Sequence, residues 1–290
     1  MKWDESMEFI RRGEPCILLE CPLNVPNQDR WDFDHLATVI DPSFKCDVYS
    51  SRNKRFTYWD ESKNKNGYNF RPPTTKLAMT FPEFLEYHKT QHSNLDCTET
   101  RYLQAGVVQE MGPVMLKEYT RFSLDAARKF QDMGLWDGFS TNLLLCGAAG
   151  FITPVHYDEQ QNIFAQLSGT KRVRLFPPEA FARLYPYPLG HPSDRQSQVQ
   201  LPSVCGSTVL DQESQRSQFP AFDNDDPVIA ERWVDMQPGE CLYIPQYWWH
   251  QMEGLTDNVS LSWWYKHQQR DRKQTSEAAH KDDLSVFEKV

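Results

Sequence analysis

Short runs of aromatic and β-branched residues, each closed by a turn sequence, recur along the chain and limit its fold more than any other feature. Such runs are typical of β-strands, and strands at this spacing favour a double-sheet jelly roll over a parallel sheet. The predicted strands are CILLE (Cys16–Glu20), CDVYS (46–50), RFTYW (55–59), RYLQAGVV (101–108), TNLLLC (141–146), NIFAQL (162–167), KRVRLF (171–176), WVDM (233–236), CLYIP (241–245) and NVSLSWWYK (258–266). We therefore expect a mainly β protein.

A few helices and one tight turn are predicted between these strands. TFPEFLEYHKTQ, residues 80–91, begins with Thr80 placed before Glu83 at the spacing of a helix capping box. SLDAARKFQDMG predicts a second helix from Ser123 to Gly134. A turn at Ser168–Gly169 between NIFAQL and KRVRLF predicts that these two strands form a β-hairpin.

The chain of 290 residues suits one large domain with an attached smaller region. We predict an N-terminal β/α extension over residues 1–100, a core over 101–266 and a polar tail over 267–290. A stretch rich in Ser, Gln, Asp and Pro lies between Tyr185 and Pro227. Loops of that length within a compact domain are usually functional or disordered.

Composition narrows the class of partner and the compartment. The formal net charge is −9, from 40 acidic and 31 basic residues, and no basic cluster is long enough to indicate nucleic-acid binding. The 7 cysteines are scattered without a CxxC pair, which favours reduced thiols over a disulfide framework or a thiolate zinc site. No run of apolar residues is long enough to cross a membrane, and the N-terminal residues lack the apolar block of a signal peptide. We expect a soluble protein of the cytoplasm, the nucleus or both, without a membrane partner.

The sequence HYDEQQN contains a candidate metal-binding pair. In a strand, side chains two residues apart share a face, so His156 and Asp158 would stand side by side. They would supply two of the three ligands of a 2-His-1-carboxylate iron site, which leaves coordination positions open for O₂ and a cosubstrate. Of the later histidines, His250 is the favoured third ligand because it follows a strand and enters an aromatic cluster in CLYIPQYWWH. H-x-D alone is more often a surface pair, and that alternative stays open on this pattern.

Lys171 is a candidate anchor for a dicarboxylate. Strand alternation places Lys171, Val173 and Leu175 on one face of KRVRLF, opposite Arg172 and Arg174. That placement makes Lys171 the inward residue, and a buried ammonium group is costly unless an anion meets it. A small dicarboxylate that binds iron at one end would reach Lys171 with the other. The alternative is a strand lysine that faces solvent.

Three segments, TPVHYDEQQNIFAQLSGTKRVRLFPP, LYPYPLGHPSDRQSQV and LYIPQYWWH, closely resemble the JmjC-type 2-oxoglutarate oxygenases. Among these the chain looks most like the asparaginyl hydroxylase that inhibits hypoxia-inducible factor. The resemblance is densest from Thr141 to Lys266 and extends more weakly upstream. It implies a double-stranded β-helix core of the jelly-roll or cupin-like type with a few flanking helices.

The resemblance also implies roles for individual residues. The Fe(II) ligands, and with them the catalytic centre, would be His156, Asp158 and His250. Residues binding the cosubstrate 2-oxoglutarate would be Tyr102, Thr153, Lys171 and, near its metal-bound end, Asn162. Residues contacting the protein substrate would be Gln104, Asp158, Glu159, Gln160, Arg195 and Gln196. Trp264 would either wall the pocket or belong to the core.

The activity that the resemblance implies is O₂-dependent hydroxylation of a protein asparagine at its β-carbon. The substrates would be a transactivation segment of hypoxia-inducible factor, ankyrin-repeat proteins or both, and aspartate or histidine in such repeats is a further target. The alternatives are another JmjC activity, such as histone lysine demethylation, and a non-catalytic cupin-like binding module.

The chain departs from the family pattern at three places. Ser262 stands where the family has an asparagine near the cosubstrate carboxylate, and the segment between Val199 and Phe219 is longer than expected. The third departure is the tail after Lys266, which is short and polar where the family has dimer-forming helices. A homodimer is therefore left open.

Overall fold

A computed structural model describes residues 3–18, 31–93, 99–107, 111–120, 136–204, 212–222 and 232–267. The strands are β1 (Cys16–Leu18), β2 (Lys45–Ser51), β3 (Thr75–Thr80), β4 (Thr100–Ala105), β5 (Trp136–Gly147), β6 (Ile152–Tyr157), β7 (Gln161–Ser168), β8 (Lys171–Phe176), β9 (Arg232–Met236), β10 (Cys241–Ile244), β11 (Trp249–Gly254) and β12 (Asn258–His267). The helices are α1 (Trp3–Arg12), α2 (Phe33–Val39), α3 (Phe81–Ser93), α4 (Gly112–Tyr119) and α5 (Gln212–Gln218), with 3₁₀ turns at Glu61–Lys63 and Pro178–Arg183.

The described strands form two antiparallel sheets. The larger has eight strands in the order β1-β10-β7-β12-β5-β4-β2-β3, and the smaller has four in the order β6-β11-β8-β9. From β5 to β8, and again from β9 to β12, successive strands alternate between the two sheets. This alternation defines a jelly roll, and it confirms the predicted mainly β fold with few helices.

Side-chain alternation along the central strand β12 divides the apolar residues into separate layers. Val259, Leu261 and Trp263 face the layer that holds the buried side of α2 and α3. Ser260 and Ser262 take the opposite parity and face the space between the sheets. That space contains apolar side chains from both sheets and, at one end, the polar residues of the candidate site.

The predicted hairpin between NIFAQL and KRVRLF is wrong. β7 pairs with β10 and β12 in the larger sheet, whereas β8 pairs with β11 and β9 in the smaller one. The turn at residues 168–170 therefore carries the chain from one sheet to the other. Gly169 has φ +67°, and a Cβ there would lie 1.9 Å from the carbonyl oxygen of Asp257. A tight corner between sheets uses the same turn residues as a hairpin, so the local sequence does not distinguish them.

Most of the remaining strand predictions are confirmed, with one correction. RFTYW is not a strand: Arg55 forms an isolated β-bridge with Ile152, and the residues that follow are irregular. CLYIP corresponds to β10, which ends at Ile244, and His250 lies on the separate strand β11.

The helix predicted at residues 80–91 is α3. Its capping box is present, since Thr80 N donates to Glu83 Oε2 at 2.8 Å. The predicted helix Ser123–Gly134 lies outside the described residues, as do residues 19–20 of the first predicted strand and 268–290 of the predicted tail.

The polar stretch after Tyr185 is anchored to the smaller sheet where it is described. Ser197 N donates to the carbonyl oxygen of Val155 at 2.8 Å, and Tyr157 N donates to that of Arg195 at 3.1 Å. This pairing holds the segment beside β6, the strand that carries His156. None of the helices in the described part of the chain is long and apolar enough to cross a membrane.

Candidate metal and cosubstrate site

The three predicted metal ligands converge at one end of the space between the sheets. His156 lies near the end of β6, and Asp158 directly follows that strand. His250 lies on the neighbouring strand β11, where it is paired with His156. One ligand atom from each side chain lies within 4.8 Å of the other two. Among the described residues, this is the one group of histidine, cysteine and acidic side chains arranged to hold a metal ion.

Both imidazole rings are oriented by backbone carbonyl groups. His156 Nδ1 lies 2.8 Å from the carbonyl oxygen of Pro154, and His250 Nδ1 lies 3.0 Å from that of Trp248. A carbonyl oxygen only accepts, so each Nδ1 carries a proton, and Nε2 is the ring nitrogen that is left to bind a metal ion. Burial and the neighbouring His250 lower the pKa of His156 to about 4, which keeps this ring neutral at neutral pH.

Asp158 is held as a carboxylate by its neighbours. Burial alone would raise its pKa, but His250, His156 and a hydrogen bond from Trp264 together lower the pKa of Asp158 below its ordinary value. Trp264 Nε1 donates to Asp158 Oδ2 at 2.8 Å, and the same oxygen lies 3.9 Å from His250 Nε2. Trp264 therefore lines the site and is not simply a core residue. A donor set of two imidazole nitrogens and one carboxylate fits a divalent iron ion.

A cavity of about 440 Å³ opens beside the three ligands. Its size suits a small molecule together with one inserted side chain. The predicted site residues that line it are Tyr102, Gln104, Thr153, His156, Asp158, Glu159, Gln160, Asn162, Arg195, Gln196 and His250. Thr57 and Tyr58 also line it, and these were missed because RFTYW was interpreted as an ordinary strand.

Lys171 faces inward as predicted, yet its ammonium group lies behind the cavity wall. The side chain is fully buried, and Nζ lies 4.9 Å from the centre of the Phe164 ring and 6.0 Å from that of Tyr102, two rings that line the cavity. Nζ donates to Ser260 Oγ at 2.9 Å. Burial lowers the pKa of Lys171 to about 7.

The other predicted cosubstrate residues lie on the cavity wall. Tyr102 and Thr153 share a side-chain hydrogen bond, which joins the larger sheet to the smaller one. Ser262 Oγ donates to Asn162 Oδ1 at 3.1 Å. Ser262 thus stands beside Asn162 on the cavity wall, where the sequence had indicated a departure from the family pattern.

The predicted substrate residues all line the cavity, and the exposed Glu159 lies at its mouth together with Arg195 and Tyr58. The backbone of Gln196 forms an isolated antiparallel β-bridge with that of His156. The buried side-chain Oε1 of Gln196 has no hydrogen-bond partner among the described residues. Arg195 has φ +65° and places Nη1 3.5 Å from Glu159 Oε2, with its guanidinium group 5.8 Å from the centre of the exposed Tyr58 ring. Gln160 Nε2 donates to Ser140 Oγ at 2.9 Å. The mouth is therefore polar and carries side chains of both charges.

Comparison with known proteins agrees with this fold and site. The cupin-like domain family matches residues 3–271, and the chain belongs to that family. The chain is 34% identical over 273 residues to the lysine-specific demethylase JMJ30 of Arabidopsis thaliana, which covers 90% of this chain and 52% of that protein. It is 27% identical over 264 residues to JmjC domain-containing protein D of Dictyostelium discoideum, and this match covers 88% of this chain and 52% of that protein. It is 28% identical over 280 residues to HSPB1-associated protein 1 of Bos taurus, and this match covers 91% of this chain and 51% of that protein. The chain thus spans about half the length of these relatives.

Proposed function

We propose that this protein is an Fe(II)- and 2-oxoglutarate-dependent oxygenase that hydroxylates a side chain of a protein substrate. The observation that carries the proposal is the convergence of His156, Asp158 and His250 beside a cavity large enough for cosubstrate and side chain. Bound iron, with O₂ and 2-oxoglutarate, would supply the oxidising power to insert oxygen into an unactivated C–H bond while 2-oxoglutarate is decarboxylated.

The chain's own residues would bind and orient the reactants. His156, Asp158 and His250 would hold the metal through two Nε2 atoms and one carboxylate, kept in place by the Nδ1 hydrogen bonds and by Trp264. Asn162 and Thr153 line the cavity that 2-oxoglutarate would occupy. Lys171, whose Nζ lies behind the Phe164 ring of that wall, would be the cation for its far carboxylate. The aromatic and aliphatic residues between the sheets would exclude bulk water from the reaction.

Asparagine is the target residue that we propose first. A buried Gln196 Oε1 without a partner at the cavity lining suits the N–H of a neutral amide. The protein substrate would be an ankyrin repeat or a transactivation segment of hypoxia-inducible factor, as the sequence resemblance implies.

Lysine demethylation is the second candidate. Two observations favour it: a relative bears the name lysine-specific demethylase, and the exposed Glu159 carboxylate at the cavity mouth is able to meet a cation. A non-catalytic cupin-like binding module is the third candidate. It would retain metal and cosubstrate binding without turnover.

The test is an incubation of the full chain with Fe(II), 2-oxoglutarate and O₂, in separate reactions with ankyrin-repeat, hypoxia-factor and methyl-lysine peptides. Mass spectrometry distinguishes the outcomes: one added oxygen mapped to asparagine supports hydroxylation, whereas loss of a methylene unit from lysine supports demethylation. His156→Ala should abolish either product because it removes a ligand, and His35→Ala, on the surface helix α2, serves as the matched control. Metal and 2-oxoglutarate binding without any product would overturn the proposed activity.

A further inference from the structure

A chain of buried hydrogen bonds runs from Lys171 to the corner between the sheets. Lys171 Nζ donates to Ser260 Oγ at 2.9 Å, and Ser260 Oγ donates to Gln166 Oε1 at 2.8 Å. Gln166 Nε2 donates in turn to the carbonyl oxygens of Ser168 and Gly169, at 2.7 and 3.0 Å. Lys171, Ser260 and Gln166 are each fully buried, so these hydrogen bonds are shielded from solvent.

The direction of this chain is fixed by the chemistry of its far end. Carbonyl oxygens only accept, so the Gln166 amide must present Nε2 to the corner and Oε1 to Ser260. The single hydroxyl proton of Ser260 is then committed to Gln166, which leaves the lone pairs of Oγ to accept from Lys171. The arrangement therefore selects a donor at Lys171 Nζ.

Ser260 also supplies the polar contact that the ammonium group needs. Among the described residues, Ser260 Oγ is the one hydrogen-bond acceptor of Lys171 Nζ, whose other near neighbours are the rings of Phe164, Phe151 and Tyr102. A buried ammonium group without an acceptor is strongly disfavoured. Ser260 therefore favours the charged form and fixes where it lies.

We propose that Ser260 and Gln166 are positioning residues that hold Lys171 Nζ ready to pair with the far carboxylate of a dicarboxylate cosubstrate. This inference rests on the proposed function, since it takes 2-oxoglutarate as the dicarboxylate. Neither Ser260 nor Gln166 lines the cavity, and both act through Lys171. In a purely structural role, the two residues would contribute to stability without affecting cosubstrate binding.

The test is calorimetric titration of 2-oxoglutarate into the full chain loaded with Mn(II), which allows binding to be measured without turnover. Ser260→Ala should raise the Kd on the order of tenfold, equivalent to about 1.4 kcal/mol, because the ammonium group loses its acceptor. Ser260→Thr keeps the hydroxyl group and should restore the affinity. Ser51→Ala removes another buried serine hydroxyl of the larger sheet and should leave the Kd unchanged.

The pH dependence of the Kd separates positioning from stability. The titratable groups of the described residues that face Lys171 are Tyr102 and Cys146, and burial raises the pKa of both, so they stay neutral while Lys171 titrates. Above the Lys171 pKa, 2-oxoglutarate must bind together with a proton, so the Kd should rise by up to about tenfold per pH unit. Ser260→Ala should move the start of that rise to lower pH.

The outcomes distinguish this inference from the proposed function. If Lys171→Ala weakens binding while Ser260→Ala and Gln166→Met bind as tightly as the wild type or more tightly, the positioning role is overturned and the cosubstrate assignment stands. If Lys171→Ala leaves the Kd unchanged, the cosubstrate assignment itself is overturned. Should Ser260→Ala fail to fold, Gln166→Met tests the positioning role instead. This variant keeps the side-chain length and removes the acceptor for Ser260, so we expect it to raise the Kd by a smaller factor.

Discussion

At the scale of single residues, metal binding at the proposed site would depend on the orientation of Asp158. The carboxylate is the one anionic ligand of the site, and Trp264 Nε1 fixes the position of its Oδ2 atom. Replacing a group that orients a metal ligand typically weakens metal affinity by about 10- to 100-fold. Trp264 thus links the central strand β12 to the metal ligands.

Trp264→Phe should therefore weaken metal binding while leaving the fold intact, because it removes the indole N–H and keeps an aromatic ring. We expect the Kd for Mn(II), measured by equilibrium dialysis, to rise by about 10- to 100-fold. Trp233→Phe is the matched control, since Trp233 is 59% exposed on the edge strand β9. An unchanged Mn(II) affinity in Trp264→Phe would show that the hydrogen bond to Asp158 does not orient the ligand.

The sequence predicts which side of a strand a residue faces more reliably than where its side chain ends. Alternation in KRVRLF is enough to place Lys171 inside, and the burial of Lys171, Val173 and Leu175 agrees. The contact with Ser260 joins residues 89 positions apart and depends on how two sheets pack. No local pattern carries that information, and the same holds for the bond between Trp264 and Asp158.

At the scale of secondary-structure elements, the corner at residues 168–170 determines which sheet receives Lys171. The corner takes β7 in the larger sheet to β8 in the smaller one, and the turn at Thr256–Asp257 packs against it. Thr170 N donates to Thr256 Oγ1 at 2.9 Å. The hairpin prediction failed because strand partners are set by the packing of distant strands, which the turn sequence does not encode.

Gly169→Ala should lower the free energy of unfolding by more than the positive φ alone would cost an alanine, because the added Cβ would also clash. A Cβ at position 169 would overlap the carbonyl oxygen of Asp257 at 1.9 Å, whereas position 67 has a similar φ of +65° and nothing within 4 Å. In urea denaturation we expect Gly67→Ala to lose about 1 kcal/mol of unfolding free energy and Gly169→Ala to lose about 3 kcal/mol. Equal losses in the two variants would show that the corner adapts to a side chain.

At the scale of the whole molecule, the site exists because two sheets converge on one cavity. The smaller sheet provides His156 and His250 from paired strands, and the larger sheet provides Tyr102, Asn162 and Trp264. Strands β2 and β3, from the predicted N-terminal extension, continue the larger sheet beyond β4.

The jelly roll and the convergence of the three candidate metal ligands were predictable from the sequence, whereas the preference for a substrate was not. The strand pattern places His156 on β6 and His250 on a distant strand, and the structure brings both together with Asp158, which directly follows β6 instead of lying in it. The cavity mouth is assembled from segments around Tyr58, Glu159 and Arg195 that are far apart in sequence and irregular in structure. Substrate preference therefore depends on loop packing that strand patterns do not describe.

The most direct test of the central claim is a crystal structure of the full chain with Mn(II) and 2-oxoglutarate. We predict that the metal is bound by His156 Nε2, the Asp158 carboxylate and His250 Nε2, with the far carboxylate of 2-oxoglutarate paired with Lys171 Nζ. A metal bound elsewhere, or a far carboxylate paired with a cation other than Lys171, would contradict it.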